Sequence, residues 1–292
     1  MKDIALQRLF PHNNIRRSRP TASIGLRVDN SSVEHQEPHL FVDGGVGPWN
    51  PSPHQTQAGV RDYPIAWRAT SVEETIRIIY TRLVFLFADV VCIFADDFLS
   101  IQSVAQFLVD CANLGSASSL PIAVRPRIVV ISSDSCAKEF YQELRKGDQQ
   151  LIGSFSAVKL IHINGFGESA FRDRLRASIR TQLEDVQEAR HDHGAYFSGL
   201  HLHGLFDLAV RHLSSNNSSP FNFVKATREV NPVPHGLSYH ISHYFEVGNR
   251  GGCCLDTLVS STASALLMDH YAGTIGKFLF WLDLAILSIS AK

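Results

Sequence analysis

The sequence predicts an α/β protein in which a mostly parallel sheet carries helices on both faces and is followed by an all-helical extension. Two observations lead there. Apolar runs at 40–42, 90–95, 127–131 and 158–163 have the length and aliphatic content of strands buried on both sides. Between them lie stretches of helical spacing, so strands and helices alternate, an order that makes parallel strands with right-handed crossovers. Beyond residue 165 no further strand-like run follows and the apolar spacing is helical throughout. The expected divisions are an irregular tail over 1–20, an α/β domain over 21–165 and a helical extension over 166–292.

Each element has its own reason. The first twenty residues are polar and irregular, so order is expected from Thr21. In Ser23 to Asp29, Ile24, Leu26 and Val28 alternate with small or polar neighbours, the period of an edge strand with one face in water. Leu40, Phe41 and Val42 read as a buried strand that ends at Asp43 and enters the glycine run from Gly44 to Gly47. Four prolines between Pro48 and Pro64 mark a long excursion without regular structure. Ser71 followed by Glu74 is a capping box, and Ile76, Ile79, Tyr80, Leu83 and Phe87 continue it as one helix face.

The strand at 90–95 ends in Asp96 and Asp97. A helix carrying Val104, Phe107, Leu108, Cys111 and Ala112 follows it, with Gly115 as terminator. The strand at 127–131 leads through Ser132, Ser133 and Asp134 to a short helix around Phe140 to Lys146, and the strand at 158–163 ends at Asn164. The extension opens with a charged helix from about Ser169 and a second from Gly199, then helical patterns near 221–228, 237–246 and 255–270.

Composition narrows function. In 292 residues, 45% are hydrophobic, and 27 basic side chains nearly cancel 28 acidic ones. The chain can bury a real core but has no long-range field with which to gather nucleic acid, which is excluded as a partner. Five cysteines, an odd number with no C-x-x-C pair, read as free thiols in a reducing compartment, and a cytoplasmic location is expected. The apolar stretch from Phe278 to Ile289 contains Asp283 and falls short of the ~20 residues of a spanning helix. No transmembrane segment and no signal peptide is expected.

The chemistry-bearing motifs are incomplete. A phosphate loop requires G-x-x-x-x-G-K-[ST], because successive backbone N–H groups cradle the phosphates and the hydroxyl holds magnesium. The nearest stretch, Gly273 to Phe278, has Tyr271 at the first glycine position and Phe278 at the hydroxyl position. Leu40-Phe41-Val42-Asp43 has the form of a strand whose terminal carboxylate holds magnesium through water, and equally of a strand whose Asp caps the next turn. Asp134 is what remains of a base-reading Asn-Lys-x-Asp after the 127–131 strand, and Thr21 stands where a switch threonine could. A nucleotide, GTP or ATP with magnesium, would therefore draw on Asp43, Asp134 and Thr21. Asp43-Gly44-Gly45-Val46-Gly47 is also close to an oxyanion-hole turn, but no G-x-S-x-G serine elbow accompanies it. Of the fourteen histidines, His191/His193 and His201/His203 are two apart and diverge on a helix, whereas His240 and His243 share a face without a carboxylate at ligand spacing.

Five long strings carry a resemblance: "IYTRLVFLFADVVCIFADD" (79–97), "GSASSLPIAVRPRIVVIS" (115–132), "SGLHLHGLFDLAVRHL" (198–213), "SPFNFVKATREVNP" (219–232) and "SALLMD" (264–269). Together they resemble the region that precedes the catalytic domain in fungal patatin-like phospholipases, the lysophospholipase-like proteins. That resemblance implies a Rossmann-like sheet of the GTPase type, a degenerate P-loop module attached to a lipase. It also implies that the first strand and phosphate loop are missing and that the chain leaves the family pattern after Asp269. The function it implies is a non-catalytic regulatory or interaction module, with a protein partner or the missing lipase domain as its counterpart. The alternatives are a GTPase-like nucleotide switch, or acyl hydrolase activity residing in the downstream domain. None of the lipase's catalytic residues has an equivalent here.

Overall fold

The computed structural model describes residues 2–13, 24–34, 38–44, 63–69, 71–114, 119–147, 151, 153–162, 169–193, 195–197, 199–215, 218–230 and 235–269. Its centre is a parallel sheet of β3 (Val90–Phe94), β4 (Arg127–Ser132) and β5 (Ala157–His162), ordered β3-β4-β5. Register runs from Val90↔Arg127 to Phe94↔Ile131 on one side of β4 and from Arg127↔Ala157 to Ser132↔His162 on the other. As the central strand, β4 buries Ile128, Val129, Val130 and Ile131 completely, which is why its sequence is a continuous aliphatic run.

Alternation along the strands sends Ile93, Ile128, Val130, Val158 and Leu160 to one face, under α3 (Ile101–Asn113) and α4 (Ala137–Leu144). Ser100 caps α3, its hydroxyl accepting from the Ser103 N–H at 3.1 Å, and the helix buries Val104, Ala105, Leu108, Cys111 and Ala112 along one stripe. Phe140 and Leu144 do the same for α4. The opposite face, with Phe94, Val129 and Ile131, is covered by Ala5 and Leu9 of α1 (Lys2–Leu9) and by Leu175 of α5 (Ser169–Asp192). The α/β class with helices on both faces is therefore present. At about 2 kcal/mol for each large apolar side chain taken out of water, these two interfaces dominate the stability of the unit.

Three expectations are corrected. Order does not begin at Thr21, because Lys2–Leu9 is helical and sets Ala5 and Leu9, one turn apart, into the core. The 40–43 strand is neither buried nor part of the parallel sheet. Instead β1 (Gly25–Val28) and β2 (Leu40–Asp43) form a separate antiparallel pair, with Leu26↔Val42 and Val28↔Leu40 in register. A turn joins them, closed by the Asp29 carboxylate accepting from the Ser31 N–H and by the Ser32 hydroxyl donating to the Asp29 carbonyl. Parallel pairing needs a crossover of a dozen or more residues, usually a helix, which this short connection does not supply. The third correction follows: among the described residues the parallel sheet has three strands, in the consecutive order β3-β4-β5, where four were expected.

The helix expected after the Ser71 capping box is found, with the Ser71 hydroxyl accepting from the Glu74 N–H at 3.1 Å. It runs as α2 (Val72–Ile79) through a π-helical turn (Tyr80–Val84) into a last turn (Phe85–Phe87). The wider turn divides its side chains between two cores. Tyr80, Val84 and Phe85 join the α3/α4 layer, while Leu83, Leu86 and Phe87 join a second cluster with Leu120, Val124, Leu205 and Phe223. To that second cluster α6 (Gly199–Ser215) contributes Leu205 and Ala209, and α7 (Phe223–Val230) contributes Phe223 and Ala226. Part of the 48–70 excursion lies against α6, the Trp67 indole N–H donating to the Leu213 carbonyl at 2.6 Å. Two further helices, α8 (Leu237–Arg250) and α9 (Leu255–Asp269), pair with each other. The apolar segment at 278–289 lies outside the described residues. Among the described residues no helix is long and apolar enough to cross a membrane.

Candidate functional site

In a parallel α/β sheet the carboxyl ends of the strands are where ligands bind. Here that edge carries Asp96 and Asp97 in the 3₁₀ turn after β3, Ser132 to Asp134 after β4, Cys136 at the start of α4, and His162 at the end of β5. Ser132 ends β4 with its hydroxyl folded into the turn, donating to the Asp134 carbonyl and accepting from the Asp134 N–H, both at 3.1 Å. The Cys136 thiol donates to the same carbonyl at 3.4 Å and lies 3.6 Å from the Ser132 oxygen. The Ser133 hydroxyl donates to an Asp96 carboxylate oxygen at 3.2 Å, tying the ends of β3 and β4 together.

Asp134 itself is exposed, and its backbone, rather than its carboxylate, organises the turn. His162 is the register partner of Ser132 and its Nδ1 is buried with no hydrogen-bond partner. The Ser132 hydroxyl is engaged by Asp134, and nucleophilic activation requires the base within about 3 Å of the hydroxyl.

Asp43 lies elsewhere, at the end of β2 in the antiparallel pair, partly buried against the helix that contains Tyr80. Burial first, and the Asp43 charge second, push the Tyr80 phenol up to about 12. Glycine after Asp43 has a local reason: a Cβ on Gly44 would crowd the Tyr80 hydroxyl, so any larger residue there requires that side chain to shift. The glycine that begins the oxyanion-like run is thus accounted for by close packing; Gly45, Val46 and Gly47 lie outside the described residues. Thr21 also lies outside them. Of the three candidate nucleotide residues, the structure describes Asp43, which ends β2 of the antiparallel pair, and Asp134, in the turn after β4 of the parallel sheet.

Of the paired histidines, His191, His193, His203, His240 and His243 are exposed, with His243 stacked on Tyr239 at a ring separation of 6.3 Å. Among the described residues no three His, Cys, Asp or Glu side chains converge as a metal-ligand set. Sequence reasoning passed over His162 and treated Cys136 only as one of five thiols. The signal available was positional, since both fall at the carboxyl end of a strand expected to be parallel.

No family model, no curated protein and no solved structure matches this chain.

Proposed function

We propose that this chain is a non-catalytic regulatory or interaction module of the patatin-like phospholipase kind, with a degenerate nucleotide site. The observation that carries the reading is that Asp43 and Asp134 follow strands of two different sheets. A switch domain of the GTPase type brings its magnesium carboxylate and its base-reading carboxylate to one edge of one parallel sheet. Here Asp43 ends an antiparallel hairpin strand and neighbours Tyr80, whereas Asp134 follows β4 of the parallel sheet. The Ser132 and Cys136 side chains, the nearest nucleophiles on that edge, are both bonded to the Asp134 backbone.

The interaction half of the reading draws on the β1–β2 pair. Leu26, Val28, Leu40 and Val42 form two in-register aliphatic pairs on one face and are 66%, 39%, 50% and 44% exposed. A two-stranded pair is marginal on its own, and an aliphatic face turned outward is the surface a partner covers. The patatin-like parentage rests on the five strings alone.

Calorimetry with GTP and with ATP, each with magnesium, tests the degenerate-site half. The expected result is no saturable heat. Saturable, magnesium-dependent binding that Asp43→Ala abolishes would establish the nucleotide-switch reading instead. An ester-substrate assay with turnover above buffer would contradict the non-catalytic half.

A further inference from the structure

The five cysteines divide sharply. Cys111 lies in the core and Cys92 packs against it, and burial pushes both thiols up to about 12, away from the reactive thiolate form. Cys136 donates its thiol proton to the Asp134 carbonyl. Cys253 and Cys254 are adjacent and exposed in the turn between α8 and α9.

Both ends of that turn are fixed. Gly252 has φ +77°, the left-handed region that favours glycine, and terminates α8 in a Schellman arrangement. In it the Cys253 N–H donates to the Gly248 carbonyl at 2.9 Å and the Gly252 N–H to the Asn249 carbonyl at 3.1 Å. On the other side the Cys254 carbonyl accepts from the Thr257 and Leu258 N–H groups at 3.1 and 3.2 Å and so opens α9. The backbone on either side of the pair is thus fixed, and both cysteines are exposed.

Adjacency also decides what they can form. Neighbouring Cα atoms are about 3.8 Å apart across a trans peptide, closer than the roughly 4.4–6.8 Å an unstrained disulfide spans. A direct S–S bond is therefore disfavoured, whereas one large thiophilic atom inserted between the sulfurs closes a wider ring. Thiolates are soft ligands, suited to soft, thiophilic atoms. We propose that Cys253 and Cys254 together form a binding site for a trivalent metalloid of the arsenic class, held by both sulfurs at once. With phenylarsine oxide as probe, two As–S bonds form and the arsenic–oxygen bond breaks. The oxygen leaves as water with the two thiol protons, and no electron is transferred.

The test is the full chain titrated with phenylarsine oxide, followed by intact mass and peptide mapping, with a small dithiol as competitor. One phenylarsenic group per native chain is expected, mapped to the peptide that contains both cysteines. Cys253→Ser and Cys254→Ser should each weaken retention by about 100-fold or more, the loss expected when a two-point attachment becomes one-point. Cys136→Ser should leave it unchanged. Single variants that hold the arsenical as tightly as the native chain, or mapping to any other cysteine, would overturn the proposal. Because the mapping is done on the native chain, its outcome does not depend on the variants folding.

Discussion

Asp43 closes its strand beside the buried phenol of Tyr80, and its negative charge adds to burial in keeping that phenol protonated to about 12. The carboxylate that most looked like a magnesium ligand is thus a neighbour of a tyrosine in the α3/α4 core layer. Asp43→Asn removes the charge that opposes phenolate formation. The titration of Tyr80, followed by phenolate ultraviolet absorbance, should therefore move to lower pH in that variant, with Tyr80→Phe identifying which tyrosine moved.

The same shift has a consequence for stability. A group whose folded pKa is raised contributes stability that is complete below its unfolded pKa and is lost as pH rises through the folded value. Tyr80 is raised from 10 to about 12, and Cys92 and Cys111 from 9 to about 12. Resistance to urea should therefore fall progressively from pH 9 to about 12, and Tyr80→Phe should flatten the upper part of that fall. An unfolding midpoint that stays level across the window would contradict the burial of all three groups.

Much of the architecture was legible because burial and local hydrogen bonding agree with residue type. The Ser71 to Glu74 box caps its helix as expected, and the fully aliphatic 128–131 run is the central strand. The 40–43 run was misread because a short apolar triplet has the same appearance on a hairpin as in a buried strand. The deciding term was the short turn closed by Asp29, a property of chain connection and not of the triplet. The helix at Lys2–Leu9 was missed because its apolar side is narrow, essentially Ala5 and Leu9. The π-helical turn at Tyr80–Val84 leaves no sequence signature, since it follows from two cores drawing on one helix. At the candidate site, Asp134 was identified but its role was not. Ser132 organises the turn, a job any short hydroxyl at a strand end can do.

The link between α5 and the sheet is asymmetric. Arg190 is buried, donates to the Asp89 carboxylate and to the Ala195 carbonyl at 3.1 Å, and Asp89 is its more exposed partner. Asp89→Ala leaves a buried guanidinium without its counter-charge, which costs about 3 kcal/mol or more, whereas Arg190→Met replaces the charge with apolar volume and costs less. Urea unfolding of the two variants should rank them in that order; the reverse order would mean that Arg190 is not desolvated.

At Gly248 two opposing effects can be weighed. Alanine in a helix interior gains roughly 1 kcal/mol over glycine. A Cβ there would stand 2.6 and 2.8 Å from the two Cδ atoms of the buried Leu258 and 3.2 Å from its Cγ, so that side chain must shift within its packed surroundings. Overpacking of that kind costs about 1–3 kcal/mol. Gly248→Ala should lower protection of 237–269 in amide hydrogen exchange, and the double variant with Leu258→Ala should lose less than the sum of the single changes.

The proposed degeneracy of the nucleotide site rests on Asp43 and Asp134 following strands of two different sheets. Manganese carried by GTP, added to isotopically labelled protein, broadens the amide resonances nearest to wherever the metal and nucleotide bind. The expected spectrum shows no broadening that saturates and is displaced by magnesium with GTP. Concerted, saturable broadening of the amides flanking both Asp43 and Asp134 would contradict it.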